Sequence, residues 1–260
     1  VGPGAGNLAC GEVGSGRLAE VMDIVAAIEN FFATGNAHLP GPLTGRHALV
    51  TSGPTWEAID PVRYIGNRSS GKQGHAIAGA LAKLGARTTL VSGPTWEPDP
   101  PGVNMVRIES ARDMYDACHT ALPADVAVCA AAVADWRLDK DTQKKIKKDQ
   151  SGPPMLSLVE NPDILASLGQ AGNKRPKLVV GFAAETGNVV AYAREKLARK
   201  GCDWMVANDV SPGTGTFGGN ENTVHLVSAK TVEDWPRMSK TEVAERLAAR
   251  IAETLAGAAE

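Results

Sequence analysis

HALVTSGPTWE at residues 47–57 and RTTLVSGPTWE at residues 87–97 end in the same hexapeptide, Ser-Gly-Pro-Thr-Trp-Glu. Each copy directly follows an aliphatic run that reads as a strand, LVT in the first and TLV in the second. Gly-Pro enforces a turn, so the repeat puts two strand-to-turn junctions on one edge of a sheet. A shared turn solution accounts for the second copy, while the first runs into a long loop, residues 59–70. Long loops on a rigid scaffold often carry function.

Outward from this pair the pattern alternates. Strands are expected at 47–52, 87–92, 103–108, 126–131, 178–183, 204–207 and 223–228. Helices are expected at 72–84, 111–122, 162–168, 189–200 and 240–255. Continuous apolar strands alternating with helices predict a doubly wound, mostly parallel, Rossmann-like α/β sheet with helices on both faces. Ligands of such sheets sit at the carboxyl ends of the strands. Ahead of the sheet, residues 1–32 hold a glycine-rich stretch and an apolar helical pattern (Leu18, Val21, Ile24, Val25, Ile28, Phe31, Phe32). Residues 33–44, ATGNAHLPGPLT, read as a linker.

The chain's 260 residues fit one large domain or two small ones, and 43% hydrophobic with 22% charged residues argues against disorder. A net charge of −2 offers no field for a polyanion, so no nucleic-acid partner is expected. The longest apolar run, residues 126–134, is too short for a bilayer, and Val1 to Gly6 lack a secretory start, so a cytoplasmic place is expected. Cys10, Cys118, Cys129 and Cys202 show no C-x-x-C spacing, which suits a reducing compartment and neither zinc nor a disulfide framework.

Four motifs could carry chemistry. Asn67-Arg-Ser-Ser-Gly-Lys-Gln-Gly74 leads into a helix, and free amides near Gly71 make an anion site for phosphate. Gly66-x-x-x-x-Gly71-Lys72 imitates a P-loop, but Gln73 stands where a magnesium-binding hydroxyl belongs, and a Ser-capped helix is the plain alternative. Tyr192 and Lys196 have the Y-x-x-x-K spacing of short-chain dehydrogenases without that family's glycine fingerprint or catalytic Ser. Asp135 at a strand's end, followed by Lys144, Lys145, Lys147 and Lys148, could hold a magnesium triphosphate; a solvated basic loop is the alternative. Asn161-Pro162-Asp163 reads as a helix start with Asn as cap.

Together DPVRYIGNRSSGKQG, AAAVADWR, KIKK, ENPDIL, VGFAAET, AREKLARKGCDWMVANDV and FGGNEN, in this order from Gly45 to about Leu255, resemble phosphopantothenoylcysteine synthetase, the ligase of coenzyme A biosynthesis. GNLACGEVGSGRLAE resembles the substrate flap of the flavin-dependent decarboxylase that most bacteria fuse ahead of it. The resemblance implies a decarboxylase remnant at 1–32, a linker at 33–44 and a ligase domain at 45–260. FMN would belong only to the missing decarboxylase part, leaving Cys10, the remnant's proton donor, idle.

The implied reaction joins 4′-phosphopantothenate to cysteine through an acyl-cytidylate, with CTP and Mg²⁺. Lys145 would neutralise triphosphate charge, Asn67 would orient the acyl-nucleotide, and Asp135 would hold the metal. By resemblance the nucleotide meets Gly53, Ser69, Gly71, Gly74, Ala130, Ala131, Asp135, Lys145, Pro162, Asp163, Ile164, Leu165, Phe182, Lys196, Lys200 and Asn208. Phosphopantothenate meets Asn67, Ala131, Ala132 and Asp135, with Arg63 reaching in from a second subunit. A homodimer is implied, and a larger homo-oligomer for the parent protein. A dehydrogenase-like NAD(P) enzyme and a non-catalytic nucleotide-binding domain are the alternatives.

Overall fold

The structure, a computed structural model, describes residues 4–7, 13–17, 19–22, 24–25, 41–140, 144–147, 154–211 and 219–257. The chain divides into two compact units, Val1–Ala37 and His38–Glu260. In the first, β1 (Gly4–Asn7) pairs antiparallel with β2 (Val13–Arg17). Cys10, Lys148 and most of the apolar pattern at 18–32 lie outside the described residues.

The second unit runs β3 (His47–Ser52), β4 (Trp56–Asp60), β5 (Arg63–Gly66), α1 (Lys72–Lys83), β6 (Arg87–Ser92), β7 (Val103–Arg107), α2 (Ala111–Thr120) and β8 (Val126–Cys129). It continues with β9 (Trp136–Leu138), β10 (Leu158–Glu160), α3 (Ile164–Gly169), β11 (Leu178–Glu185), α4 (Val189–Lys200) and β12 (Trp204–Asp209). Last come β13 (Glu221–Asn222), β14 (Val224–Ser228), β15 (Val232–Asp234), β16 (Met238–Ser239) and α5 (Lys240–Gly257).

The main sheet has the order β15-β14-β12-β11-β8-β3-β6-β7, parallel from β7 to β12 and antiparallel at β14 and β15. Every residue of β3 is buried, as expected of a strand covered on both faces. Its alternate residues serve two cores: Val50 joins Ile77, Leu81, Leu247 and Ile251 of α1 and α5, while Leu49 joins Met114, Cys118, Ile164 and Leu168 of α2 and α3. The doubly wound α/β sheet expected from the sequence is thus present. From β3 the chain first builds outward through β6 and β7, then crosses to β8, β11 and β12 on the other side. The switch point lies between β3 and β8, where such folds open a crevice.

Three expectations change. Residues 41–44, expected as the end of a linker, form a turn in which Leu43 is fully buried and donates its N–H to the Leu84 carbonyl at 2.9 Å. Composition hid this, because one Leu among Gly and Pro does not read as core. The loop at 59–70 instead contains the second strand of the β4–β5 hairpin, whose Asp60-Pro61 turn was a legible signal. The basic loop after Asp135 instead begins and ends in the antiparallel β9–β10 pair, too short at three residues per strand to show a period. Among the described residues no helix is long and apolar enough to cross a membrane.

Candidate functional site

The two hexapeptides interlock at the strand ends. Gly93 donates its N–H to the Ser52 carbonyl at 3.0 Å, and a Cβ on Gly93 would stand 1.7 Å from the Pro54 carbonyl oxygen. Gly53 has φ +75°, and a Cβ there would stand 3.1 Å from the Gly93 carbonyl oxygen. Only glycine permits this approach at both positions. The two threonines then hold different loops. Thr55 Oγ1 accepts from the Ala134 N–H at 2.9 Å, and Thr95 Oγ1 donates to the Ser70 carbonyl at 2.6 Å. Thr51 Oγ1 accepts from the Ala131 N–H at 3.2 Å, and the Gly53 carbonyl accepts from Ala132 at 2.9 Å. The repeat therefore fixes the loop after β8 and the loop before α1.

Helix α1 has Gly71, φ +79°, as its N-cap, and the plain serine reading holds in part: Ser70 Oγ accepts from the Lys72 N–H at 3.4 Å and Ser69 Oγ from the Gly71 N–H at 3.3 Å. Ser52 Oγ donates to the Gly71 carbonyl at 2.8 Å, and His75 Nδ1 lies 3.0 Å from the same hydroxyl. Burial lowers the His75 pKa. Gln73 turns away from the loop to donate Nε2 to the Lys240 carbonyl at 3.0 Å, and Lys72 Nζ donates to Asn220 Oδ1 at 2.9 Å. Burial, then the neighbouring Lys72 charge, lowers the Lys240 pKa.

Two adjoining cavities, about 170 Å³ and 760 Å³, open here and share Arg68, Ala131, Ala132, Phe182 and Ala184. The smaller adds Ser69, Gly71, Gly74, Ala130 and Asn208; the larger adds Asn67, Asp135, Pro162, Asp163, Ile164, Leu165, Lys196 and Lys200. Motifs far apart in sequence thus meet at the switch point. Gly53, Arg63 and Lys145 line neither cavity. Gly53 supports the wall through Ala132, Arg63 binds the Asp60 carboxylate and the Ile146 carbonyl, and Lys145 is exposed.

Several cations expected to be open to a nucleotide have partners within the chain. Lys200 Nζ pairs with Asp163 Oδ2, and Lys196 Nζ lies 2.6 Å from Glu185 Oε1, close in distance but without hydrogen-bond alignment. Lys196 therefore faces a carboxylate, and Tyr192 lines neither cavity, so the pair does not form the dehydrogenase arrangement. Helix α3 is capped by Asp163, which accepts from the Ala166 N–H, and not by Asn161 as expected. Asn161 instead donates Nδ2 to the Ala134 carbonyl at 2.9 Å and leaves Oδ1 buried without a partner. Asn67 Nδ2 donates to the Val133 carbonyl at 2.8 Å.

Arg68, Lys72 and Gln73, inside the anion motif, and Asn161, inside the Asn-Pro-Asp motif, line the walls although no ligand contact was expected of them; Thr51, Glu160, Arg199, Asn222 and Lys240 join them without having been expected. Lys240 and Asn222 come from the chain's far end and had no local signal. In all, six cations (Arg68, Lys72, Lys196, Arg199, Lys200, Lys240) face three carboxylates (Asp135, Glu160, Asp163).

A doubly wound sheet with this cation-rich crevice matches a defined family: residues 43–255 fit the DNA/pantothenate metabolism flavoprotein C-terminal domain, and the chain belongs to that family. Among individual proteins, it is 46% identical over 245 residues to the coenzyme A biosynthesis bifunctional protein CoaBC of Vibrio cholerae, covering 94% of this chain and 60% of that protein. It is 43% identical to the Mycobacterium tuberculosis H37Rv protein of the same name, covering 98% and 63%. A crystal structure of the C-terminal domain of a CoaBC protein superposes with TM-score 0.70 at 38% identity, over 84% of this chain and 99% of that one. The chain spans about 60% of the length of the curated relatives it matches.

These findings correct the family named from the motifs. The chain matches a flavoprotein C-terminal domain over residues 43–255, which overturns the motif-based family of phosphopantothenoylcysteine synthetase with a decarboxylase remnant. The flavoprotein description raises FMN. FMN brings one phosphate and a broad apolar ring, for which Phe182 and Trp136 are the aromatic surfaces on these walls. Among the described residues no three His, Cys, Asp or Glu side chains cluster as a metal cage.

Proposed function

We propose that this domain joins 4′-phosphopantothenate to cysteine at the expense of CTP, as one activity of a coenzyme A biosynthesis enzyme. The observation that carries the reading is the pair of adjoining cavities at the switch point, with their surplus of positive charge. The smaller would take the phosphoryl groups at the N-terminus of α1, beside Lys72 and Lys240. The larger would take base and ribose against Ile164 and Leu165, with the free Asn161 Oδ1 available to an amino or hydroxyl donor.

A carboxylate lacks a leaving group at neutral pH, so it must be activated. In the first step the phosphopantothenate carboxylate attacks the α-phosphorus, the bond to the β-phosphate oxygen breaks, and pyrophosphate leaves. Lys145, exposed and outside both cavity walls, would have to reach in from beside them to meet the charge that builds on the departing phosphates. Asp135 would hold Mg²⁺, which when bound supplies further charge neutralisation. In the second step the cysteine amine attacks the acyl carbon, loses its proton, and displaces CMP. Asn67, an amide donor close to Val133 and Asp135, would orient the acyl carbonyl.

A homodimer and a cytoplasmic place belong to this reading. Val62, Tyr64, Trp136, Met155, Leu156 and Leu158, all exposed, fall on or beside the β4–β5 and β9–β10 hairpins, a surface suited to a second copy. Arg63, about half exposed, would then face the neighbour's substrate.

The test supplies CTP or ATP with Mg²⁺ and phosphopantothenate, then cysteine. Pyrophosphate release preferring CTP, followed by CMP that appears only with cysteine, supports the reading. Nucleotide binding without pyrophosphate release would instead identify a non-catalytic domain.

A further inference from the structure

The Asp60 carboxylate is completely shielded from solvent, although it sits on a surface hairpin. It is also fully used. Oδ1 accepts from the N–H groups of Val62 at 2.9 Å and Arg63 at 3.0 Å, which closes the hairpin turn. Oδ2 accepts from Arg63 Nε at 3.0 Å, Arg63 Nη2 at 2.5 Å and the Ile146 N–H at 3.1 Å. Arg63 Nη2 also donates to the Ile146 carbonyl at 2.9 Å. The ion pair thus grips both backbone polar groups of a residue more than 80 positions away. A turn needs only the first two bonds. The grip on Ile146 needs another explanation.

Ile146 lies in the β9–β10 connection, immediately after Lys145, and residues 144–147 belong to no helix or strand. An extended segment without ladder partners keeps its full conformational freedom unless something fixes its peptide planes. We propose that Asp60, acting through Arg63 and the Ile146 peptide, is a positioning residue that presents Lys145 to the reacting phosphates. The proposal rests on the ligase reading above. It gives Arg63 a task in its own subunit, distinct from the one expected of it at a neighbour's substrate.

The experiment uses Asp60→Asn and Arg63→Gln in the whole chain, each alone and combined with Lys145→Gln. Endoproteinase Lys-C, which cuts after Lys144, Lys145 and Lys147, reports the tether without any substrate. Cleavage in this segment should quicken about tenfold in both single variants, because a locally opened segment is the protease substrate. Pyrophosphate release by Asp60→Asn should fall about tenfold or more in kcat, with KM for CTP within about twofold. In the Lys145→Gln background the same change should cost less than about twofold, since two residues acting as a unit are not additive.

A merely structural Asp60 would give the same loss in both backgrounds, which would overturn the proposal. Unchanged Lys-C cleavage in both variants would overturn it as well. Should Asp60→Asn fail to fold, Arg63→Gln leaves the turn bonds of Asp60 in place and decides by its cleavage rate. If the unaltered protein releases no pyrophosphate, the ligase reading fails, and the tether stands or falls on the cleavage rates alone.

Discussion

At the carboxyl ends of β3 and β6, the wall of the crevice is held by backbone packed on backbone: Gly53 against Gly93, Gly93 against Pro54, with Thr51, Thr55 and Thr95 bonding the loops that touch the cavities. In the β9–β10 connection, the segment carrying Lys145 is held by one carboxylate and one guanidinium through the Ile146 peptide. The first region is part of the sheet's own core and cannot move without opening it. The second can be released by losing a single charge. The crevice wall and the segment that carries Lys145 are thus held by different physics, close packing in one and a half-exposed ion pair in the other.

The comparison breaks most clearly at Lys145. Lys145→Gln should lower pyrophosphate release by about 10²–10³-fold, the scale of losing one transition-state charge partner. Because the side chain is exposed, the unfolding free energy from urea titration should stay within about 0.5 kcal/mol of the unaltered protein. A large stability loss would show that the segment belongs to the rigid region after all.

The frame should behave in the opposite way. Leu43→Ala deletes a fully buried side chain and should cost about 3 kcal/mol, or roughly 6–12 °C in Tm. Calorimetry checks it; an unchanged Tm would return residues 41–44 to the linker. Gly93→Ala pushes a methyl onto the Pro54 carbonyl and should cost about 2 kcal/mol while loosening both hexapeptide turns. Here the affinity for CTP, measured by calorimetric titration, should weaken together with Tm, whereas Lys145→Gln should leave Tm alone.

The smallest effect is on pH. Burial lowers the pKa of His47 and of His75 from the ordinary 6.5, so the unfolded chain takes up protons first as the pH falls below that value. Unfolded protons then outnumber folded ones, and stability declines from pH 6.5 downward until the lowered folded values are passed. The Asp60 carboxyl, held well below its usual value by Arg63, adds its loss only below about 3.8. Urea midpoints between pH 8 and pH 5 check this, and a flat profile there would count against neutral buried imidazoles.

The sequence alone determined the sheet and the helices that cover it, because apolar strands such as His47–Ser52 and capped amphipathic helices such as Ala111–Thr120 carry their period in consecutive residues. It also singled out the loop before α1, which lines the smaller cavity, since glycine, serine and lysine at a helix start act within a few positions of one another. What it did not carry was anything joined across long separations. The interlock of Gly93 with Pro54 depends on β6 pairing beside β3, and the arrival of Asn222 and Lys240 at the crevice, the pairing of Lys200 with Asp163 and the grip of Asp60 on Ile146 each join residues far apart in the chain. Those contacts were decided by the tertiary structure, because hydrogen bonds and ion pairs are set by where the sheet delivers each residue and leave no periodic trace in the chain.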